Sequence, residues 1–81
     1  MNDNITAHEF NSVLNDIIEE RFPNTERYIV ASGDYFKDTI IEIRESGKKL
    51  RYSPYELYKK SQNYEDTIEE FIAHWRIMLQ Q

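Results

Sequence analysis

The sequence contains no cysteine, only two glycines and two prolines, and no long apolar run. Without cysteine the chain can form neither disulfides nor thiolate metal sites, so packing alone must stabilise its fold. No apolar stretch approaches the roughly 20 residues that a membrane-spanning helix needs. The N-terminus is polar and lacks the basic and apolar regions of a signal peptide. We therefore expect a cytoplasmic protein that makes no contact with a membrane.

The residues that are present are typical of one folded domain. The 81 residues are 40% hydrophobic and 14% aromatic, which is well above the content of a disordered tail. The aromatic residues supply a large buried area per side chain, which helps a small core. A chain of this length has room for one core only. The sequence therefore predicts a single domain over residues 1–81.

Charge is unevenly distributed along the chain, whose net charge is −5. Residues 1–43 hold nine acidic and three basic side chains, and residues 61–81 hold four acidic and one basic. Between them, residues 44–60 hold six basic and two acidic side chains. The excess of acid argues against general affinity for nucleic acid, whose phosphates require lysine and arginine. The uneven distribution favours encounter with an oppositely charged partner.

Three helices are predicted from capping residues and apolar spacing. Thr6 and Glu9 form a capping-box pattern that starts the first helix, and Pro23 ends it. Pro54 occupies the favoured first position of a short helix, and a last helix runs from about Tyr64. Both long stripes predict packing on a sheet, with Trp75 buried. The stripes consist of Phe10, Val13, Leu14, Ile17 and Ile18 in the first helix, and Tyr64, Ile68, Phe71, Ile72, Trp75, Met78 and Leu79 in the last.

Three strands are predicted between the first and second helices. β-Prone residues favour strands at 28–31, 35–45 and 49–52, and Gly47 predicts a tight hairpin turn within 45–48. The predicted fold is therefore α+β, α-β-β-β-α-α, a three-stranded antiparallel meander with helices packed on one face. Alternation places Thr39, Ile41, Ile43, Leu50 and Tyr52 on the inner face, and Ile40, Glu42, Arg44, Lys49 and Arg51 on the outer face.

Catalytic and metal-binding patterns are weak, so we expect neither enzymatic activity nor a cofactor. Cysteine is absent, and neither histidine has the sequence context of a paired nucleophile and orienting acid. Both glycines stand alone in turns rather than in a phosphate-binding pattern. Asp66, Glu70 and His74 line up along the last helix, but helical turns are about 5.4 Å apart. The three side chains could not all close on one metal ion without ligands from elsewhere.

Candidate binding residues fall into two charged groups, which predict different partners. The acidic group would meet a protein with a basic surface, and it consists of Glu19, Glu20, Asp34, Asp38, Glu65, Asp66, Glu69 and Glu70. The basic group would bind nucleic acid, and it consists of Arg44, Lys48, Lys49, Arg51, Lys59 and Lys60. Tyr52, Tyr55 and Tyr58 are interleaved with the basic residues and could stack on bases. A third possibility is a homodimer that pairs through the edge of the third strand rather than a monomer.

The order of elements resembles that of small phage-encoded anti-CRISPR proteins that inhibit Cas9. The resemblance covers element order along the whole chain and includes no aligned motif, so it is an analogy between folds. Acids on the strand loops of that family are echoed here by Asp34, Asp38 and Glu42. The resemblance implies a small acidic inhibitor that presents carboxylates to a basic cleft and blocks the entry of DNA. We therefore expect a protein-binding module of the inhibitor or adaptor type that acts by occlusion.

Overall fold

The chain folds in the predicted order in a computed structural model that describes residues 5–81. The polar N-terminus, residues 1–4, on which the expectation about a signal peptide rests, lies outside this part of the chain. Within residues 5–81, no helix combines the length and the apolar character required to cross a bilayer. The elements are α1 (Ala7–Arg21), β1 (Glu26–Ala31), β2 (Ile40–Glu45), β3 (Lys48–Tyr52), α2 (Pro54–Lys60) and α3 (Tyr64–Gln80).

Side-chain caps set the point at which each helix begins. The Thr6 hydroxyl accepts a hydrogen bond from the Glu9 backbone amide at 3.1 Å, and the Glu9 carboxylate accepts one from the Thr6 amide at 2.8 Å. The capping box of α1 is therefore confirmed. Ser53 caps α2 by accepting from the Glu56 amide at 3.2 Å. Asn63 caps α3, and its side chain accepts hydrogen bonds from the Glu65 and Asp66 amides.

The three strands form an antiparallel sheet with β2 in the centre. Ile41 pairs with Tyr52 and Ile43 pairs with Leu50, so the predicted inner face is confirmed for these four residues, whereas Thr39 lies before β2. The β2–β3 hairpin has a two-residue turn in which Ser46 has φ +54° and Gly47 has φ +82°. Two consecutive positive φ values are the pattern of a type I′ turn, whose twist matches that of the flanking strands.

The connection between β1 and β2 differs from the prediction. The strand predicted over residues 35–45 begins only at Ile40, and Phe36–Asp38 form a single 3₁₀ turn. The Asp38 amide donates to the Tyr35 carbonyl at 2.9 Å, which closes that turn. A Cβ added to Gly33 would lie 2.8 Å from the Cβ of Asp38, so the loop folds back on a residue without a side chain. This close approach overrides the β-propensity of the aromatic residues in the loop.

One hydrophobic core lies between the inner face of the sheet and the long helices α1 and α3. The two helices contribute one apolar stripe each, and β2 and β3 contribute alternate residues. The stripe residues Val13, Ile17 and Tyr64 remain half-buried at the margin of this core. The buried set consists of Phe10, Leu14, Ile18, Phe22, Ile41, Ile43, Tyr52, Ile68, Phe71, Ile72 and Trp75.

Trp75 occupies the centre of the packing between α3 and the strands. Its exposed fraction is 0%, which confirms the predicted burial. Its indole Nε1 donates a hydrogen bond to the Thr25 hydroxyl at 3.0 Å. That hydroxyl in turn donates to the Glu45 carboxylate at 2.5 Å. The indole therefore connects α3 to the residue before β1 and to the last residue of β2.

Replacement of Trp75 by alanine should reduce the free energy of unfolding by about 3–5 kcal/mol, because it leaves a cavity and removes a hydrogen bond. The matched control is Ile77→Ala on the same helix, where the side chain is 56% exposed and the loss should stay below about 1 kcal/mol. Urea unfolding followed by circular dichroism measures both. Similar small losses for the two variants would contradict the proposed centre of packing.

Replacement of Gly47 by alanine should reduce stability by about 1 kcal/mol through backbone strain alone. An added Cβ at Gly47 meets no atom within 4 Å, so the positive φ is the only source of the penalty. Asparagine tolerates this conformation, so Gly47→Asn should lose less than Gly47→Ala. Thermal unfolding of the two variants tests this order. An alanine variant as stable as the wild type would show that the turn adopts another geometry.

Candidate functional site

A charged cluster covers the outer face of the sheet. Glu42 projects from the central strand, and its side chain is only 3% exposed. The Nε of Arg51, on β3, donates to one carboxylate oxygen at 2.7 Å, and the Nε of Arg44 donates to the other. The Arg44 guanidinium also lies 4.1 Å from the centroid of the Tyr28 ring. The arginines and the tyrosine therefore shield the carboxylate from solvent.

The electrostatics of this cluster keep Glu42 ionised. Hydrogen bonds from Arg51 and Arg44 lower the pKa of Glu42 from its ordinary value of 4.5, and the opposing effect of burial is smaller. The same pairing raises the pKa of Arg44. Glu42 is therefore an internal counter-ion for two arginines, and its carboxylate is already occupied rather than free to meet a basic partner. The sequence predicted its face of the sheet but not its burial.

The six residues of the predicted basic group do not form one surface. Arg44, Lys49 and Arg51 share the outer face of the sheet, where two of them bind Glu42. Lys48 donates to the backbone carbonyl of Gln81, beyond the end of α3. Lys59 and Lys60 lie in the last turn of α2. The continuous run of charge in the sequence is thus divided among three parts of the structure.

The three tyrosines interleaved with the basic residues also separate. Tyr52 is buried in the core, and its burial raises the pKa of the phenol to about 12. The Tyr58 hydroxyl donates to the Ile5 carbonyl at 2.9 Å, which ties α2 to the residue before α1. Tyr55 is partly exposed, with the Lys59 ammonium 5.4 Å from its ring centroid. The three tyrosines therefore do not form one exposed surface on which bases could stack.

All eight residues of the predicted acidic group are exposed, but they lie in different places. Glu19 and Glu20 lie near the end of α1, and the four acids of α3 lie in its first two turns. Asp34 and Asp38 belong to the β1–β2 loop, next to the start of α1 rather than its end. Arg21 and Glu69 form an ion pair with a nitrogen–oxygen distance of 3.1 Å. This pair joins the end of α1 to the acidic turns of α3.

A groove between α1 and α3 combines apolar and acidic residues. Val13 and Ile17 line it from α1, and Tyr64 and Ile68 line it from α3, around a volume of about 170 Å³. The lining also includes the carboxylate-bearing residues Glu65 and Glu69. We name this site the α1–α3 groove. It brings two of the predicted acidic residues together with half-buried apolar side chains.

The groove was not predicted from the sequence, although the width of the apolar stripe of α1 could have indicated it. The apolar stripe of α1 has two rows, and only the row formed by Phe10, Leu14 and Ile18 is fully buried. The second row, Val13 and Ile17, is more apolar surface than the sheet can cover. A stripe wider than its core contact indicates an exposed apolar strip. Its position beside the acids of α3 depends on contacts about 50 residues apart in sequence.

The described residues 5–81 contain no group of three histidine, aspartate or glutamate side chains placed to hold a metal ion. The stripe of Asp66, Glu70 and His74 is therefore not a cluster of ligands. Comparison with models of known protein families, with curated proteins and with solved structures finds no match.

Glu42→Gln should alter the dependence of stability on pH. Because the folded pKa of Glu42 lies below its ordinary value, ionisation stabilises the fold above that value, and the benefit is lost as the pH falls below it. The variant should therefore be less stable than the wild type at neutral pH, and the difference should shrink in acid. Urea midpoints measured from neutral pH to about pH 3 test this.

The matched control for that experiment is Glu20→Gln at an exposed position of α1, which should leave the pH dependence of the wild type in place. A difference between Glu42→Gln and wild type that stays constant with pH would show that the carboxylate contributes through packing rather than through its charge.

Proposed function

We propose that this chain is a protein-binding module of the inhibitor or adaptor type. Its binding site would be the α1–α3 groove, and its partner a protein segment with an apolar side chain flanked by lysine or arginine. The observation that carries the proposal is the groove itself, in which half-buried apolar residues lie beside Glu65 and Glu69. Such a combination supplies hydrophobic contact at its centre and charge complementarity at its rim.

The apolar residues of the groove supply the affinity in this proposal. Val13, Ile17 and Tyr64 are incompletely covered by the protein's own core. An apolar side chain that enters the groove would complete their burial, and this contributes about 25 cal/mol for each Å² removed from water. The acidic residues are less important for affinity than for partner choice, since charges at the rim of an interface act mainly on association rate and specificity.

The ion pair between Arg21 and Glu69 is weak enough for a cation of the partner to replace Arg21. Both side chains are substantially exposed, and exposed pairs of this kind contribute only about 0–1 kcal/mol. A cation from a partner can therefore replace Arg21 at the carboxylate at small cost. Glu65 is a second carboxylate beside the same groove. The two acids thus favour a partner that carries more than one positive charge.

The resemblance in element order to anti-CRISPR proteins suggests one specific partner. Guide-loaded Cas9 holds nucleic acid in a positively charged channel, to which an acidic protein is electrostatically complementary. The net charge of −5 and the exposed acids of α1 and α3 suit such a target. We therefore propose Cas9 as the first partner to test, with occlusion of DNA as the mode of action.

The two other candidate functions have less support. Binding of nucleic acid through the basic group is weakened by the engagement of Arg44 and Arg51 with Glu42. Homodimer formation through β3 would bring Lys49 and Arg51 near their copies on an antiparallel partner strand. Like charges on adjacent strands are unfavourable, and lysine on an edge strand is a known defence against pairing.

The double variant Glu65→Lys with Glu69→Lys should weaken partner binding without unfolding the domain, because it replaces two attractive charges at the rim with two repulsive ones. The matched control is Asp66→Lys with Glu70→Lys, which makes the same change of charge in the same turns of α3 outside the groove. Each purified protein is used to capture partners from a lysate of the cells that produce it. A partner retained by the wild type and the control but lost by the groove variant is the expected result.

Equal loss of that partner in both double variants would contradict the groove as the site and indicate a general effect of charge. Circular dichroism establishes that each variant is folded. A DNA-cleavage assay with guide-loaded Cas9 tests this specific partner. The wild type and the control variant should inhibit cleavage, and the groove variant should not. Absence of inhibition by the wild type would remove Cas9 as the partner, and the capture experiment would still test the groove.

A further inference from the structure

A second site lies at the start of α1, away from the α1–α3 groove. Three segments meet there: the first turn of α1, the 3₁₀ turn of the β1–β2 loop and the first turn of α2. They surround an open cleft of about 350 Å³, which falls within the range of about 300–1,000 Å³ that small-molecule sites occupy. We name this site the aromatic cleft. Its lining consists of Ala7, His8, Tyr35, Phe36, Lys37 and Tyr55.

Aromatic rings dominate the lining of this cleft. His8 and Phe36 stack with their ring centroids 4.2 Å apart, which fixes one wall. Tyr35 is 67% exposed, and the fold itself does not account for so large an aromatic surface facing solvent. Tyr55, on the first turn of α2, also lines the cleft. Exposed aromatic rings around a cleft of this size are suited to a planar ring as ligand.

The charged side chain in the lining indicates the sign of the ligand, although Asp34 and Asp38 lie in the same loop outside the lining. The lining described above includes Lys37 and no carboxylate-bearing residue, in a protein with 15 acidic and 10 basic residues. The Lys37 ammonium lies 5.6 Å from the Tyr35 ring centroid, and the Lys59 ammonium lies 5.4 Å from the Tyr55 ring centroid. Tyr35 and Tyr55 thus each have a lysine ammonium near the ring. A cationic ligand would be repelled by these ammonium groups, whereas an anionic ligand would be attracted.

We propose that the aromatic cleft binds a nucleotide unit, with its base against Tyr35 and Tyr55 and its phosphate near Lys37 and Lys59. A base offers the planar ring and a phosphate offers the negative charge, and the cleft has groups for both. The unit can come from a free nucleotide or from single-stranded nucleic acid. This site shares Lys59 with the predicted basic group, but Tyr35, Lys37 and the β1–β2 loop lie outside residues 44–60. It is also independent of the groove proposed for the protein partner.

Four probes distinguish the parts of this ligand: adenosine monophosphate, adenosine, inorganic phosphate and a hexamer of deoxyadenosine. Backbone amide chemical shifts in NMR spectra report the site of binding. Adenosine monophosphate should shift the amides of Tyr35, Phe36 and Tyr55, and adenosine should do so more weakly. Phosphate alone should leave them in place. Tighter binding of the hexamer than of the mononucleotide identifies single-stranded nucleic acid as the source, and equal affinity identifies a free nucleotide.

Two variants and two matched controls test the roles of the residues. Tyr35→Ala should weaken binding of adenosine monophosphate about tenfold, as expected for loss of one stacked ring. Lys37→Gln should weaken the binding of adenosine monophosphate but not that of adenosine, because only the nucleotide carries the phosphate. The controls are Tyr28→Ala and Lys49→Gln, which change an exposed tyrosine and an exposed lysine on the sheet. Both controls should bind like the wild type.

Three results would overturn the proposal. The first is the absence of shifts in the cleft at millimolar concentrations of every probe. The second is an equal response to phosphate and to adenosine monophosphate, which would remove the role of the rings. The third is equal weakening by Tyr35→Ala and Tyr28→Ala. If the Tyr35 variant loses its dispersed spectrum and is unfolded, Lys37→Gln supplies the same test through the ratio of nucleotide to adenosine affinity.

Discussion

Burial of the Trp75 indole is the interaction on which the rest of the structure depends. A meander of three strands cannot bury an apolar face alone, and the indole is the largest side chain that α3 inserts against it. Its hydrogen bond to Thr25, and that of Thr25 to Glu45, fix α3 relative to the strands. With α3 held there, its first turns lie beside α1. The α1–α3 groove is therefore a direct consequence of how the core is closed.

The distribution of charge follows from a second constraint, on the opposite face of the sheet. Glu42 neutralises part of the positive charge of Arg44 and Arg51, and both arginines fold over it. The outer face is thereby organised by contacts within the protein. Exposed carboxylates of α1 and α3 dominate the helical face instead. Of the two charged groups in the sequence, the acidic one retains more exposed side chains, which is why the proposal assigns the protein a basic partner.

Local signals were sufficient to predict most of the fold. The cap at Thr6, the stripe that includes Trp75 and the turn at Gly47 each depend on neighbours within one or two turns of chain, and all three are confirmed. The prediction that the strand includes Tyr35 to Thr39 was wrong. Stacking of Phe36 on His8 and the close approach of Gly33 to Asp38 are tertiary contacts that outweigh local β-propensity.

The candidate sites were harder to predict because they are made by distant parts of the chain. Glu42 is covered by Arg51 across a strand pair, and Glu69 meets Arg21 from a helix 48 residues away. The aromatic cleft joins three segments that have no common sequence pattern. Alternation and helical periodicity assign a residue to a face of its own element. They do not specify which side chains on separate elements come into contact.

Carboxylate labelling of the complex with the captured partner tests the central claim most directly. The claim is that the acids of the α1–α3 groove contact the partner, whereas those of the β1–β2 loop do not. Carbodiimide-driven modification, read by mass spectrometry, reports the accessibility of each carboxylate in the free and bound states. Glu65 and Glu69 should become protected on binding, while Asp34 and Asp38 keep the labelling of the free protein. Protection of Asp34 and Asp38 with unchanged labelling of Glu65 and Glu69 would contradict the account.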